Sequence, residues 1–195
     1  MLLKLKNIDQ IDDALKLVKQ HYNKEITETE IPLDDVATWE TLSRGDTLGV
    51  FQLASNTAIP VLRRVKPRNM EELSAINAFI RPGASGLDEY LEARADNSKL
   101  RKLDPRLDKH LKNTYGAIVY QEEIMELIAE LMGLSFGQAD IYRRALEKPK
   151  KNPEVFERFK NEAVELGVAR GFKKEICELV RDLIIENSGY FTMSR

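Results

Sequence analysis

The sequence is poor in the residues that build disulfides and metal centres. Among its 195 residues are one cysteine and two histidines. The single cysteine, Cys177, excludes an internal disulfide and a cluster of thiolate ligands, and it fits a reducing compartment. His21 and His110 lie far apart in the chain, which argues against a histidine-based metal site. We therefore expect a cytoplasmic protein.

Long hydrophobic runs and an excess of one charge are also missing. No stretch approaches the roughly 18 apolar residues of a membrane span. The apolar run in the opening MLLKLKNIDQ is too short for the hydrophobic region of a signal peptide. The net charge of −2 excludes a globally basic nucleic-acid-binding protein, so any anion site must be a local patch. The apolar content of 43% suits a packed core and argues against disorder.

The dominant pattern is helical. Ile8, Ile11, Leu15 and Val18 recur about every 3.5 residues and predict an amphipathic helix over residues 9–21. Repeated patterns of this kind predict about seven to nine helices along the chain. The best strand candidate is the apolar AIVY at 117–120, which either pairs in a very short strand or leads straight into the next helix.

Start and stop signals place several helix ends. Asp34 or Asp35 is expected to cap a short helix that Gly45 ends, and residues 45–53, GDTLGVFQL, indicate a tight loop leading into a short buried segment. Ser135 with Gln138 forms the signature of a capping box.

A second set of signals bears on the later helices and on the domain organisation. Gly167 is expected to end the helix that begins near Pro153.

We predict an all-α fold with at most one or two very short strands, in a single domain over 1–195. The polar residues 95–106 mark a place where two sub-lobes meet.

The stretch ADIYRRALEKPKKN, residues 139–152, concentrates positive charge in an otherwise slightly acidic chain. Its cations are Arg143, Arg144, Lys148, Lys150 and Lys151. One interpretation is a solvated helix end whose cations meet the helix dipole. The other is a phosphate site, because the planar guanidinium donates two parallel hydrogen bonds to phosphate.

Helical geometry limits what this stretch can do. Arg143 and Arg144 are about 100° apart around a helix, so they cannot both face one ligand along the same line. One can reach an anion while the other reaches a carboxylate or a second phosphate. Lys148 lies one turn below Arg144 on the same side.

Three pairs of adjacent carboxylates are the other candidates for chemistry: Asp12–Asp13, Asp34–Asp35 and Glu122–Glu123. Two-metal phosphoryl transfer needs carboxylates that converge on ions about 4 Å apart. Adjacent helical residues diverge instead, and Asp34–Asp35 is better interpreted as a helix cap. We predict no metal site among them.

Five stretches in this order resemble the bacterial replicative DNA polymerase III alpha subunit, a family C polymerase. They are IDDALKLVK, IPLDDVATWETLSRGDTLGVFQLAS, AFIRPGASG, TYGAIVYQEEIMELIAELMGLSFGQADIYRRALEKPKK and SGYF. In that family the matching blocks form the fingers domain. The resemblance covers nearly the whole chain and implies a multi-helix fingers domain without the palm, thumb and PHP domains.

The resemblance also implies roles for particular residues. Arg143 and Arg144 match the family's paired arginines on the fingers helix, so the triphosphate of an incoming nucleotide is their expected partner, with Lys148 beside them. Tyr190 matches the terminal fingers motif that contacts the nucleotide. Arg81 matches the RPG loop, a structural or DNA-facing element. The implied partners are primer–template DNA, deoxynucleoside triphosphates, and other polymerase III subunits or the missing palm, with no membrane.

The sequence departs from the family at both ends. The opening MLLK has no acid where the family carries a palm aspartate, and YFTMSR replaces a family ending close to Tyr-Gly-Phe-Asn-Lys-Ser-His. Ala84 replaces a proline after the RPG turn. We therefore expect no catalytic residue and no cofactor bound by this chain, with Mg²⁺ bound only in an intact polymerase, and no polymerisation by the chain alone. The alternatives are a non-catalytic helical module that binds DNA or a polymerase subunit, and a non-functional remnant that still folds.

Overall fold

A computed structural model describes residues 6–80 and 86–188 of the chain. Within those residues the backbone forms ten α-helices and three short 3₁₀ turns, and no β-strand. The all-α class is therefore confirmed. The helices are α1 Lys6–Tyr22, α2 Val36–Arg44, α3 Ala58–Val65, α4 Met70–Phe79, α5 Leu87–Ala95, α6 Pro105–Asp108, α7 Gln121–Met132, α8 Phe136–Glu147, α9 Pro153–Ala169 and α10 Lys174–Ser188. The helix beyond the predicted number is α6, a single turn.

The chain packs as two compact units, Met1–Leu73 and Ser74–Arg195. Residues 95–106 lie inside the second unit, and the number of domains stays a prediction. Across the described ranges, no helix combines the length and the apolar character that crossing a membrane requires.

Three of the predicted helix ends, in two helices, have the expected chemistry. The Asp35 carboxylate accepts the backbone N–H of Thr38 at 2.8 Å and so caps α2, and Gly45 ends that helix with a left-handed φ of +73°. At α8, Ser135 N–H donates to the Gln138 side chain at 2.9 Å while Ser135 Oγ accepts from Gln138 N–H. Both helices therefore begin where their sequence signals place them.

The loop at residues 45–53 differs from its prediction. Leu48 is fully exposed and Phe51 is mostly exposed, so this is not a buried segment. Between residues 46 and 53 only Thr47 and Leu53 are buried, and the Thr47 hydroxyl donates to the Leu53 carbonyl at 2.6 Å. That bond closes the loop into a turn, and the turn directs the intervening apolar side chains outward.

The segment 117–120 is buried but is not part of a strand. Two of its backbone amides donate to a side chain instead of to another strand. The Glu123 carboxylate accepts the N–H of Val119 at 2.7 Å and that of Tyr120 at 2.8 Å. The same carboxylate accepts the Thr114 hydroxyl at 2.8 Å. With these donors satisfied, the segment needs no neighbouring strand and leads directly into α7.

Helix α7 is the centre of the second unit. Four of its apolar residues are completely buried, and they follow the helical spacing i, i+3, i+4 and i+7: Ile124, Leu127, Ile128 and Leu131. The helices α8, α9 and α10 all pack against it. Full burial of each of these side chains contributes about 1.5–3 kcal/mol, so the α7 face is the main source of stability in this unit.

Gly167 does not end α9, which continues to Ala169. Instead it is buried where α9 meets its neighbours: a Cβ added at Gly167 would lie 2.7 Å from Cys177 Sγ and 3.0 Å from Leu131 Cδ1. The glycine therefore permits the close approach of α9 to α7 and α10.

We predict that Gly167→Ala destabilises the protein by about 1–3 kcal/mol, because the added methyl overpacks this contact and outweighs the roughly 1 kcal/mol that alanine gains in helix propensity. Gly137→Ala is the matched control, since Gly137 lies in α8 with no atom within 4 Å of an added Cβ. It should be neutral or stabilising. Urea unfolding of both variants measures this, and equal midpoints would contradict the packing role of Gly167.

Candidate functional site

Helix α8 presents one face to the core and one to solvent. Ala139, Tyr142, Ala145 and Leu146 are buried. The Tyr142 hydroxyl donates to Glu162 of α9, and its ring lies 5.6 Å from that of Phe159. These contacts fix the rotation of α8, so its charged residues lie on the opposite side.

On that side Arg143 and Arg144 meet at one carboxylate. Arg143 Nε lies 2.8 Å from Asp140 Oδ1, and Arg144 Nε lies 2.8 Å from Asp140 Oδ2. Asp140 precedes the two arginines by three and four residues, which are the spacings that bring helical side chains together. The angular separation of the two arginines therefore does not keep their guanidinium groups apart.

A second carboxylate extends the arrangement to Lys148. Arg143 Nη1 lies 3.3 Å from Glu147 Oε2, and Lys148 Nζ lies 3.6 Å from Glu147 Oε1. We call Asp140, Arg143, Arg144, Glu147 and Lys148 the α8 charge network. Its three cations and two carboxylates alternate and leave a formal charge of about +1.

Exposure separates the two arginines. The Arg143 side chain is 13% exposed and has carboxylates on two sides, whereas the Arg144 side chain is 71% exposed. Lys148 is also exposed. Arg144 and Lys148 are therefore the accessible cations of the network, and the Arg143 side chain is largely covered.

The network holds Asp140 in its charged form. Partial burial raises the pKa of the Asp140 carboxyl, but the hydrogen bond from Arg143 and the positive charges of both arginines outweigh this, so the pKa lies below its ordinary value. The carboxylate therefore stays ionised at neutral pH and keeps both arginines in place.

Two of the predicted site residues, Arg81 and Tyr190, lie outside the described residues. Sequence reasoning missed Asp140 and Glu147, although the signal lies in the quoted stretch. An acid three and four residues before the arginine pair, and another four residues after Arg143, are helical ion-pair spacings.

The carboxylate pairs do not fit a two-metal site. Asp35 is engaged by Thr38, Glu123 by backbone amides, and Asp12 by Lys16 at 2.5 Å. In the described part of the chain, no group of three or more histidine, cysteine, aspartate or glutamate side chains is arranged to hold a metal ion.

Comparison with known proteins points to one family. Residues 7–171 match the family model for the bacterial DNA polymerase III alpha subunit finger domain. The DNA polymerase III subunit alpha of Staphylococcus aureus strain COL is 38% identical over 189 residues, and that of Halalkalibacterium halodurans is 34% identical over 189 residues.

The alignments cover almost all of this chain and a small part of each relative. They include 96% of the chain but 18% of the Staphylococcus aureus protein and 17% of the Halalkalibacterium halodurans protein. The chain thus spans about a fifth of the length of these relatives.

We predict that Asp140→Asn lowers the free energy of unfolding at neutral pH by about 1 kcal/mol, since it removes a partly buried carboxylate shared by two arginines. A group whose folded pKa is lowered stabilises the protein above its unfolded pKa, and this contribution is lost as the pH falls through the folded pKa. The difference between parent and variant should therefore shrink below about pH 4.

Urea unfolding across an acid pH series measures this. The control is Asp182→Asn, which removes an exposed partner of Arg181 and should change stability by less than about 0.5 kcal/mol. A constant difference between parent and Asp140→Asn down to the lowest pH would show that the charge of Asp140 is not what matters.

Proposed function

The chain belongs to the family of the bacterial DNA polymerase III alpha subunit finger domain, and on this premise we propose that it acts as the fingers of a replicative DNA polymerase in the cytoplasm. In this proposal it binds the triphosphate of the incoming deoxynucleotide and contributes contacts to the primer–template. The observation that carries the proposal is the gathering of Arg143 and Arg144 at Asp140 on the solvent side of α8.

The chemistry of the network suits a triphosphate. A guanidinium has five N–H donors, so an arginine held through its Nε keeps others for phosphate oxygens. Asp140 restrains Arg144 before any ligand arrives, which lowers the entropy lost on binding. Arg144 and Lys148 make the direct contacts, and Arg143 contributes its charge and fixes Asp140.

The proposed contribution to DNA synthesis is binding and orientation. Holding the triphosphate in line with a primer 3′-hydroxyl converts an encounter into an oriented reaction, and cations near the phosphates stabilise the charge that develops there. The described carboxylates do not fit a two-metal site, so this chain is proposed to supply no metal-dependent step. Arg81 stays a prediction as a structural or DNA-facing residue, and Tyr190 stays a prediction as a nucleotide contact.

A second candidate function is a module that binds another polymerase segment or subunit. The loop at residues 45–53 favours it, because Leu48 and Phe51 expose apolar side chains on one turn. Such a module would bind a protein partner without any effect of nucleotide, whereas the first proposal requires triphosphate binding by α8.

We predict that Arg143→Gln/Arg144→Gln weakens binding of a deoxynucleoside triphosphate to the purified chain by at least about tenfold, or about 1.4 kcal/mol. The two substitutions remove the guanidinium groups and leave the core face of α8 intact. The measurement is a calorimetric titration with Mg²⁺-loaded triphosphate, after unfolding curves establish that the variant is folded.

The control is Lys173→Gln/Lys174→Gln, which makes the same change in net charge at exposed positions beside and at the start of α10. Equal affinity of the two double variants would refute the assignment to α8. Failure of the folded parent to bind triphosphate, together with capture of a purified polymerase segment, would favour the second candidate.

We predict that the purified chain does not extend a primer, because one member of each carboxylate pair is engaged by other groups and no described group of three or more such side chains is arranged to hold a metal ion. The measurement is primer extension with Mg²⁺ and all four deoxynucleotides. The positive control is the same reaction with an unrelated intact polymerase, which establishes that the reaction conditions support extension. Extension that co-purifies with the chain through successive columns would contradict the prediction.

A further inference from the structure

Helix α1 carries its apolar residues in the spacing of a coiled-coil seam. They alternate at separations of three and four residues, which are the separations of the a and d positions of a heptad. We call these residues the α1 seam: Ile8, Ile11, Leu15, Val18 and Tyr22. A helix that packs against the core of its own chain usually has a wider apolar stripe than this one.

Within the residues that the structure describes, the α1 seam is not buried. Ile8, Ile11 and Tyr22 are exposed, and Leu15 and Val18 are half-buried. In the same unit, by contrast, α3 buries its apolar face almost completely. A row of exposed apolar side chains along one side of a helix is typical of a surface for association.

The charged residues beside the seam indicate what covers it. Because Ile11 occupies a d position, the e positions along α1 are Asp12 and Lys19. The e and g positions flank the apolar layers of a coiled coil and determine its partner and its orientation. In α1 one of these flanking positions is negative and the next is positive.

This order of charges is complementary to itself when a second copy of α1 runs antiparallel. Antiparallel helices place e positions beside e positions, so Asp12 of each copy lies beside Lys19 of the other, and the pair forms twice about a two-fold axis. The same register pairs Leu15 with Val18 in the central apolar layers. In a parallel pair each residue lies level with its own copy, and Asp12 and Lys19 do not meet.

Both charged residues have ion-pair partners within their own chain. Lys16 Nζ lies 2.5 Å from Asp12 Oδ2, and Lys19 Nζ lies 2.7 Å from Glu25 Oε1. Each of these four side chains is at least 60% exposed, and exposed ion pairs contribute little to stability. A pair between two copies can therefore replace or share them at little cost.

We propose that the α1 seam is the interface of a symmetric dimer in which two copies of this chain pair through antiparallel α1 helices. The seam extends over about two heptads, which is short for a coiled coil, so we expect a weak dimer that forms at high protein concentration. This inference goes beyond the proposed function and is independent of it, because the interface needs neither nucleotide nor DNA.

The test is sedimentation equilibrium of the purified full chain from micromolar to millimolar concentration, where the parent should show a monomer–dimer equilibrium. Ile11→Gln places a polar group in the seam and should weaken dimerisation by at least about tenfold. Leu17→Gln is the matched control, because Leu17 is similarly exposed but lies outside the seam. It should leave the dimer unchanged, and circular dichroism establishes that both variants keep their helices.

A charge swap tests the orientation. Asp12→Lys and Lys19→Asp each bring like charges together across an antiparallel interface, so each should weaken dimerisation several-fold. The double variant Asp12→Lys/Lys19→Asp restores opposite charges, keeps the net charge of the parent and should dimerise as the parent does. Its ion pairs with Lys16 and Glu25 are as altered as in the single variants, so recovery cannot come from contacts within one chain.

Three outcomes would overturn the inference. The first is a folded parent that stays monomeric at every concentration, which would leave the seam to a partner of another kind. The second is an equal effect of Ile11→Gln and Leu17→Gln, which would show association through another surface. The third is a double charge swap that dimerises no better than the single variants, which would exclude the antiparallel pairing.

Discussion

The second unit depends on the buried carboxylate of Glu123. A carboxyl group buried away from solvent is costly unless hydrogen bonds compensate it, and here the Thr114 hydroxyl and the amides of Val119 and Tyr120 donate to it. These bonds end the segment 117–120 and start α7 at one place in the sequence. A shift of that start by one residue would rotate the apolar face of α7 by about 100° and remove it from α8, α9 and α10.

The position of the arginine pair follows from this constraint. The apolar face of α7 receives α8 through Tyr142 and its neighbours, so the rotation of α8 is fixed by packing and not by its charges. Packing then leaves Asp140 between Arg143 and Arg144 on the outer side. Core packing thus sets which residues of α8 share the outer face. The three cations on that face lie beside two carboxylates, so their positive charge is nearly balanced.

Local rules predicted the all-α class and the helix ends whose chemistry is local, such as Asp35 and Gly45 at α2. They failed where a distant residue decides the outcome. The sequence suggests that Gly167 ends a helix. In the structure it is a glycine because Cys177 and Leu131 leave no room for a side chain. The apolar residues after Gly45 look like core, but the bond from Thr47 to Leu53 turns them outward. At α8 the spacing of Asp140 three and four residues before the arginines was available in the sequence, and the 2.8 Å distances to Asp140 in the structure show that the two arginines converge.

The internal carboxylates of the α8 charge network limit which anions it can recognise. In the α8 charge network each cation has a carboxylate beside it, so binding depends on a ligand with enough charge in a small volume to compete with Asp140 and Glu147. A triphosphate meets that condition better than a single backbone phosphate does. The proposed selectivity for a compact anion therefore comes from the placement of carboxylates among the cations, in a chain whose net charge is nearly neutral.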